Sequence, residues 1–144
     1  MKKIKFKIIT PERIVFDQEI DQATLPVENG QVTILPNHRS YIASLKAGEI
    51  MLRDKREEIY MAVSGGFIEF DNNSLNVLAD TAERAEEIDE KRADEARVRA
   101  EELKKQKLDT SEEEYARISA LIEKEINRVK IAKKHRTHSG IKIN

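Results

Sequence analysis

The chain has 144 residues, 37% charged, 39% hydrophobic and 5% aromatic, with a formal net charge of −1. That length suits about one ordinary domain or two very small ones, and the near-neutral balance gives no global pull toward nucleic acid or anionic lipid. The absence of cysteine excludes disulfides and thiolate metal sites, and no stretch approaches the roughly 18 apolar residues of a spanning helix.

The N-terminal lysines Lys2 and Lys3 are followed by no apolar run of signal-peptide type, so a cytosolic chain without direct membrane insertion is expected. In "KIKFKII", Ile4, Phe6 and Ile8 alternate with Lys3, Lys5 and Lys7, the period of a half-buried strand. "TPER" turns, and Ile14 and Phe16 resume the pattern. "VENGQVTI" sets Asn29-Gly30 between apolar runs, a hairpin signal. In "EIYMAV", Ile59, Met61 and Val63 alternate with Tyr60 and Ala62. Gly65-Gly66 is too short to cradle a phosphate and is read as a bulge or turn between strands. "FIEF" and "LNVLA" flank a turn at residues 71–74. Short strands with turns about every ten residues predict a small antiparallel β-sandwich or barrel.

The composition changes near residue 85. All three prolines and six of seven aromatics precede it; charged residues are 24 of the first 84 and 29 of the last 60. The second part predicts two helices. The first runs from about Asp89 to Lys107, with Ala93, Ala96, Ala100 and Leu103 as its apolar line and an acidic start that suits the helix dipole. "LDTSEEE" interrupts, offering capping boxes at Ser111/Glu114 and Thr110/Glu113. The second carries Tyr115, Ile118, Ile122, Ile126 and Val129. An antiparallel hairpin would pack the two lines together, but alanines bury little area, so the seam is thin. The tail "KKHRTHSGIKIN" is basic and aperiodic, and a flexible tail is expected.

No P-loop, GxSxG or HExxH motif is present. His135 and His138 are three apart, with no acidic or thiol partner nearby, and are read as solvated rather than metal-binding. "IDEKRA" at 88–93 places Asp89 and Arg92 on one helical face. By physics alone this is an exposed i,i+3 pair worth about 0.3–0.5 kcal/mol.

Read together and in order, "ITPERIVF", "GQVTILPNH", "LKAGEI", "AVSGGFIEF" and "LADTAERAEEID" resemble the epsilon subunit of bacterial F-type ATP synthases, over about residues 2–132. "ILPNH" and "VSGGF" at this spacing carry most of the specificity. The resemblance implies a ten-stranded β-sandwich over residues 1–84, a two-helix regulatory hairpin over 85–132, and a remaining basic tail at 133–144. It implies a monomer when isolated, and a non-catalytic rotor subunit peripheral to the cytoplasmic face of the cell membrane. The face bearing His38 would lie against the gamma subunit, and the loop around Glu28–Gln31 would approach the c-ring. Thr33, where the family typically has glycine, and Arg39 after the histidine depart from the pattern.

The hairpin would oppose ATP hydrolysis when extended between the alpha and beta subunits. Lys104, Lys105, Lys124, Arg128, Lys130, Lys133 and Lys134 are candidates to face an acidic segment of beta. Some bacterial members bind ATP at an I/L-D-x-x-R-A motif, and "IDEKRA" matches every fixed position. The resemblance then assigns Glu83, Ile88, Asp89, Arg92, Ala93, Arg99, Lys124 and Arg128 to ATP, with room for a magnesium ion and no hydrolysis. Lys124 stands at a family arginine position; a lysine keeps the charge and loses the planar fork. Two rivals are a β-sandwich adaptor whose helices form a coiled coil, and a stand-alone nucleotide hydrolase. The first lacks any account of "ILPNH" and "VSGGF", and the second lacks a base or metal site.

Overall fold

The computed structural model describes residues 2–106 and 111–142, with side chains as far as His135. The chain forms two compact units, residues 1–84 and 85–144. The first unit holds eight strands: β1 (Ile4–Ile9), β2 (Ile14–Ile20), β3 (Gln22–Val27), β4 (Gly30–Ile34), β5 (Tyr41–Ser44), β6 (Gly48–Asp54), β7 (Glu57–Asp71) and β8 (Ser74–Arg84). They pair in the order β2-β1-β8-β7-β6-β3-β4, with β5 also on β7. All pairs are antiparallel except β1 with β8, which is parallel and so departs from the all-antiparallel expectation.

The core side chains include Ile4, Phe6, Ile8, Phe16, Leu25, Ile50, Leu52, Met61, Ile68, Phe70, Leu75 and Val77, all buried. The alternation expected for β1 is therefore the one observed. Ile14 is different: it is exposed. The β1–β2 register runs Ile8↔Phe16 and then Ile9↔Ile14, which leaves Val15 as an extra residue. This bulge puts Ile14 on the outer side, opposite Ile9.

A second irregularity organises the long strands. On β7, Met61 and Val63 point inward before the glycines, and Ile68 and Phe70 after them. Odd positions give way to even ones. Gly65 and Gly66 have φ of 61° and 126°, outside the range of ordinary residues. A Cβ on Gly66 would stand 1.9 Å from the Leu78 carbonyl oxygen. The pair neither ends the strand nor shifts its β8 register, which is continuous from Met61↔Arg84 to Asp71↔Ser74. The expected bulge or turn is therefore a kink within one strand. The same switch falls on β5–β6, where Ala43 faces inward with Ile68, and Ile50 with Met61. β7 and β8 thus serve both layers of the sandwich. Cut at the kink they would count twice, which reconciles eight observed strands with the ten implied by resemblance.

The turns follow local chemistry. Asn72 and Asn73, at φ 53° and 61°, close the β7–β8 hairpin in the left-handed region that asparagine tolerates. The β3–β4 loop is Glu28-Asn29, one residue earlier than the Asn29-Gly30 signal, with Gly30 opposite Val27 at φ 129°.

The second unit begins with a 3₁₀ turn, Ala85–Glu87, followed by α1 (Glu90–Gln106) and α2 (Glu112–Lys142). Ser111 caps α2, its Oγ accepting from the Glu114 amide at 3.3 Å. Thr110 and Lys107 lie outside the described residues. The α1 line is only partly as expected: Ala93 and Ala100 are buried, whereas Leu103 is exposed. On α2 the buried stripe is Ile118, Glu125, Val129 and Ala132, with Ile122 half-buried; Tyr115 and Ile126 are exposed. The helical period running from Ile118 and Ile122 to Val129 requires position 125, not 126, so a carboxylate takes the place expected for isoleucine. α2 also runs on to Lys142, so backbone over 133–142 is helical where an aperiodic tail was expected. Propagation adds one hydrogen bond per residue to a helix already nucleated.

Candidate functional sites

The two irregularities of the sheet create its most distinctive surface. Following the registers across four strands, Ile14 lies beside Ile9, Ile9 beside Leu78, and Leu78 beside Phe67. Ile42 on β5 pairs with Glu69, so it stands at the end of the adjoining row, on the same face as Phe67. Phe67 is 61% exposed and Ile42 77%, and Ile14 and Leu78 are each more than half exposed. The adjoining row, Asp17, Lys7, Asn76 and Glu69, is polar. A contiguous apolar band with a polar rim is the anatomy of a protein-docking face. Sequence reasoning missed it. The signal was available in "FIEF", because Phe67 and Phe70 have opposite parity and cannot share one face of a strand.

His38 is half-buried. Its ring meets Phe70 and Tyr41 edge-on at 5.8 and 5.9 Å, and its Nδ1 donates to the Arg39 carbonyl at 2.7 Å. Thr33, the departure from the family pattern, is accommodated by a cross-strand hydrogen bond between its Oγ1 and that of Thr24 at 2.9 Å. Residues 28–31 form an exposed hairpin tip.

Seven of the eight residues assigned to ATP lie in the helical unit; Glu83 lies on β8 in the first. Asp89 is the N-cap of α1: its Oδ1 accepts from the Arg92 amide at 3.1 Å and its carbonyl from the Ala93 amide at 3.0 Å. Arg92 is 84% exposed, its Nε 3.6 Å from Asp89 Oδ2. Ile88 and Ala93 are buried, Arg99 is exposed and Lys124 is half-buried. Arg128 donates through Nη1 to Glu125 Oε2 at 2.7 Å.

Helical periodicity sorts these groups. Arg92 and Arg99, seven apart, share one flank of the α1 seam, while Glu90, Asp94 and Glu101 share the other. The second flank is held by Arg97, which bonds Asp94 at 2.9 Å and Glu101 at 3.0 Å. A shallow hollow lined by Glu90, Lys91, Asp94, Val129 and Lys133 shows that Lys133 meets this acidic flank. Lys124 and Arg128 fall on the opposite side of the α2 stripe from Lys133, hence on the Arg92/Arg99 side. One flank of the seam therefore gathers Arg92, Arg99, Lys124 and Arg128, with Arg117 seven residues before Lys124 on the same side. Among the described residues no group of three or more histidine and acidic side chains could hold a metal ion; His138 lies beyond the described side chains.

Residues 3–85 match the family model described as ATP synthase, Delta/Epsilon chain, beta-sandwich domain. A relative from Desulforamulus reducens named ATP synthase epsilon chain is 41% identical over 131 residues, covering 91% of this chain and 98% of its own. The chain belongs to the ATP synthase epsilon-chain family. An epsilon chain from Dehalococcoides mccartyi is also 41% identical, over 141 residues, 98% of this chain and 100% of its own. A chain in the cryo-EM structure of the Euglena gracilis mitochondrial ATP synthase (OSCP/F1/c-ring) shares the fold. Its TM-score is 0.69 at 16% identity, covering 84% of this chain and 76% of that one. For this epsilon-family chain no helix among the described residues is long and apolar enough to cross a membrane.

Proposed function

We propose that the chain is a non-catalytic central-stalk subunit of a proton-translocating ATP synthase. Its sandwich docks on the gamma subunit through the apolar row, and the exposed tip at residues 28–31 meets the c-ring. This makes it a peripheral protein of the cytoplasmic face. The observation that carries the docking is the continuous exposed apolar row Ile14–Ile9–Leu78–Phe67, with Ile42 exposed on the same face beside Glu69. Whole-length similarity to epsilon chains supports the same reading. The test is co-purification of gamma with the Phe67→Glu, Leu78→Glu double variant. Loss of the complex with an unchanged circular-dichroism spectrum is expected; retained binding refutes the docking face.

The helical unit is the regulatory part. Extended toward the alpha and beta subunits it opposes ATP hydrolysis; folded as α1 on α2 it binds ATP, accompanied by a magnesium ion, along the flank of Arg92, Arg99, Lys124 and Arg128. Guanidinium groups fork onto phosphate oxygens. Ile88, at the edge of the buried seam, is the apolar group beside which adenine would lie, with Asp89 as acceptor for its amino group. ATP that fits only the folded hairpin stabilises it by about 2.7 kcal/mol at 100 times Kd, enough to matter for a seam built on alanines. Titration calorimetry of ATP into the chain, with Asp89→Ala and Arg92→Ala, tests this. Saturable binding that both variants lose is expected, and no heat up to millimolar ATP refutes it.

A further inference from the structure

Glu125 is 4% exposed and stands in the buried stripe of α2 between Ile122 and Val129. The seam fixes what it faces. Lys104 on α1 lies over the Tyr115 ring of α2 at 4.8 Å, and Glu90 and Asp94 share a hollow with Val129. This antiparallel register brings Glu125 opposite the small-residue stretch of α1, Ala93-Ala96-Ala100. Alanines leave room for the carboxylate and offer it no hydrogen-bond donor from their side chains. A carboxylate taken out of water needs a compensating partner. Arg128 supplies it at 2.7 Å, with its own side chain 21% exposed. Arg128 is therefore committed inward, to a group that presents two anionic oxygens much as a phosphate does.

We infer that Glu125 is an internal competitor for the phosphates of a bound nucleotide, holding Arg128 in an ion pair that the ligand must break or share. The inference rests on the nucleotide reading of the Arg92/Arg128 flank and adds its regulation. Recruiting Arg128 to a phosphate strips the buried Glu125 of its partner and sets a second negative charge beside the polyphosphate. Both effects oppose binding, so the chain needs a higher ATP concentration to hold its hairpin folded than the same cations would require alone.

The experiment is titration calorimetry on the full chain with ATP, inorganic triphosphate and adenosine, comparing wild type with Glu125→Gln, Glu125→Ala and the double variant Glu125→Gln, Arg128→Ala. Glutamine keeps the shape and removes the charge; alanine, a strong helix former, is the second probe should glutamine disturb packing. ATP and triphosphate are expected to bind both single variants about tenfold more tightly, equivalent to 1.4 kcal/mol. Adenosine is expected to show no change, and the gain to vanish without Arg128. Equal ATP affinity in wild type and both single variants overturns the competitor role while leaving the nucleotide site in place. A gain that persists without Arg128, or extends to adenosine, also overturns it. No ATP binding by any form removes the nucleotide reading and this inference with it.

Discussion

At the scale of single residues, backbone conformation decides more than side-chain chemistry. Gly66 combines a φ of 126° with a site where a Cβ would overlap the Leu78 carbonyl at 1.9 Å, whereas Gly30, at φ 129°, has nothing within 4 Å. Gly66→Ala is expected to abolish folding of the sheet, and Gly30→Ala to cost only about 1 kcal/mol of strain, as thermal denaturation would show. Asp21 gives a pH-dependent counterpart. Its carboxyl accepts from the Lys55 amide at 2.6 Å, and this bond, assisted by Lys3, holds it below the ordinary carboxylate range. A depressed carboxyl stabilises the fold above about pH 4 and loses that contribution as the pH falls through the folded value. Asp21→Ala is therefore expected to melt earlier than wild type at pH 7, with the gap closing toward pH 2.

At the scale of elements, the helices test how an ion pair and a cap divide the stability of a thin seam. Asp89→Ala should cost about 1 kcal/mol even without ATP, because the cap of α1 is lost, while Asp89→Asn should cost little. Arg128→Ala should destabilise the helical unit by about 2 kcal/mol, less than the ~3–5 kcal/mol of a fully buried pair because Arg128 keeps contact with water. Removing Glu125 as well should restore most of that loss in denaturant unfolding. This element also marks where sequence reading stopped. Adjacent Glu125 and Ile126 competed for one interior position, and a rule that sends apolar residues inward chose isoleucine. The phase set by Ile118, Ile122 and Val129 chose glutamate, with Arg128 three residues on to neutralise it. The Asp89–Arg92 pair was legible because it is local. The cation flank needed the antiparallel register, which links residues some thirty positions apart and leaves no mark on either helix alone. On the sheet, β1 was legible from its alternation, and Ile14 and Phe67 were not, since an extra residue and two glycines reset the alternation beside them.

At the scale of the molecule, every member of the main core cluster comes from the first unit, Ile4 to Ala79. A chain ending at Arg84 is expected to keep its strand spectrum and cooperative melting, and to retain gamma binding if the apolar row is the docking face; a chain that fails to fold would overturn the independence of the first unit. The shift of composition near residue 85 falls where one compact unit gives way to the other.

The kink at Gly65-Gly66 has a consequence for how such a protein can change. In a crystal, a line across which the lattice phase jumps is a fault, and disorder on one side is not transmitted to the other. Here the fault line crosses β5–β6, β7 and β8 at one level and is obligatory. An insertion that inverts alternation beyond the glycines would exchange Phe67 for Ile68 on the outer face, yet leave Met61 and Val63 in phase with Ile50 and Leu52. The layer that carries the exposed apolar row and the layer that does not are thus insulated from one another's errors, and each can drift at its own rate on a single continuous strand.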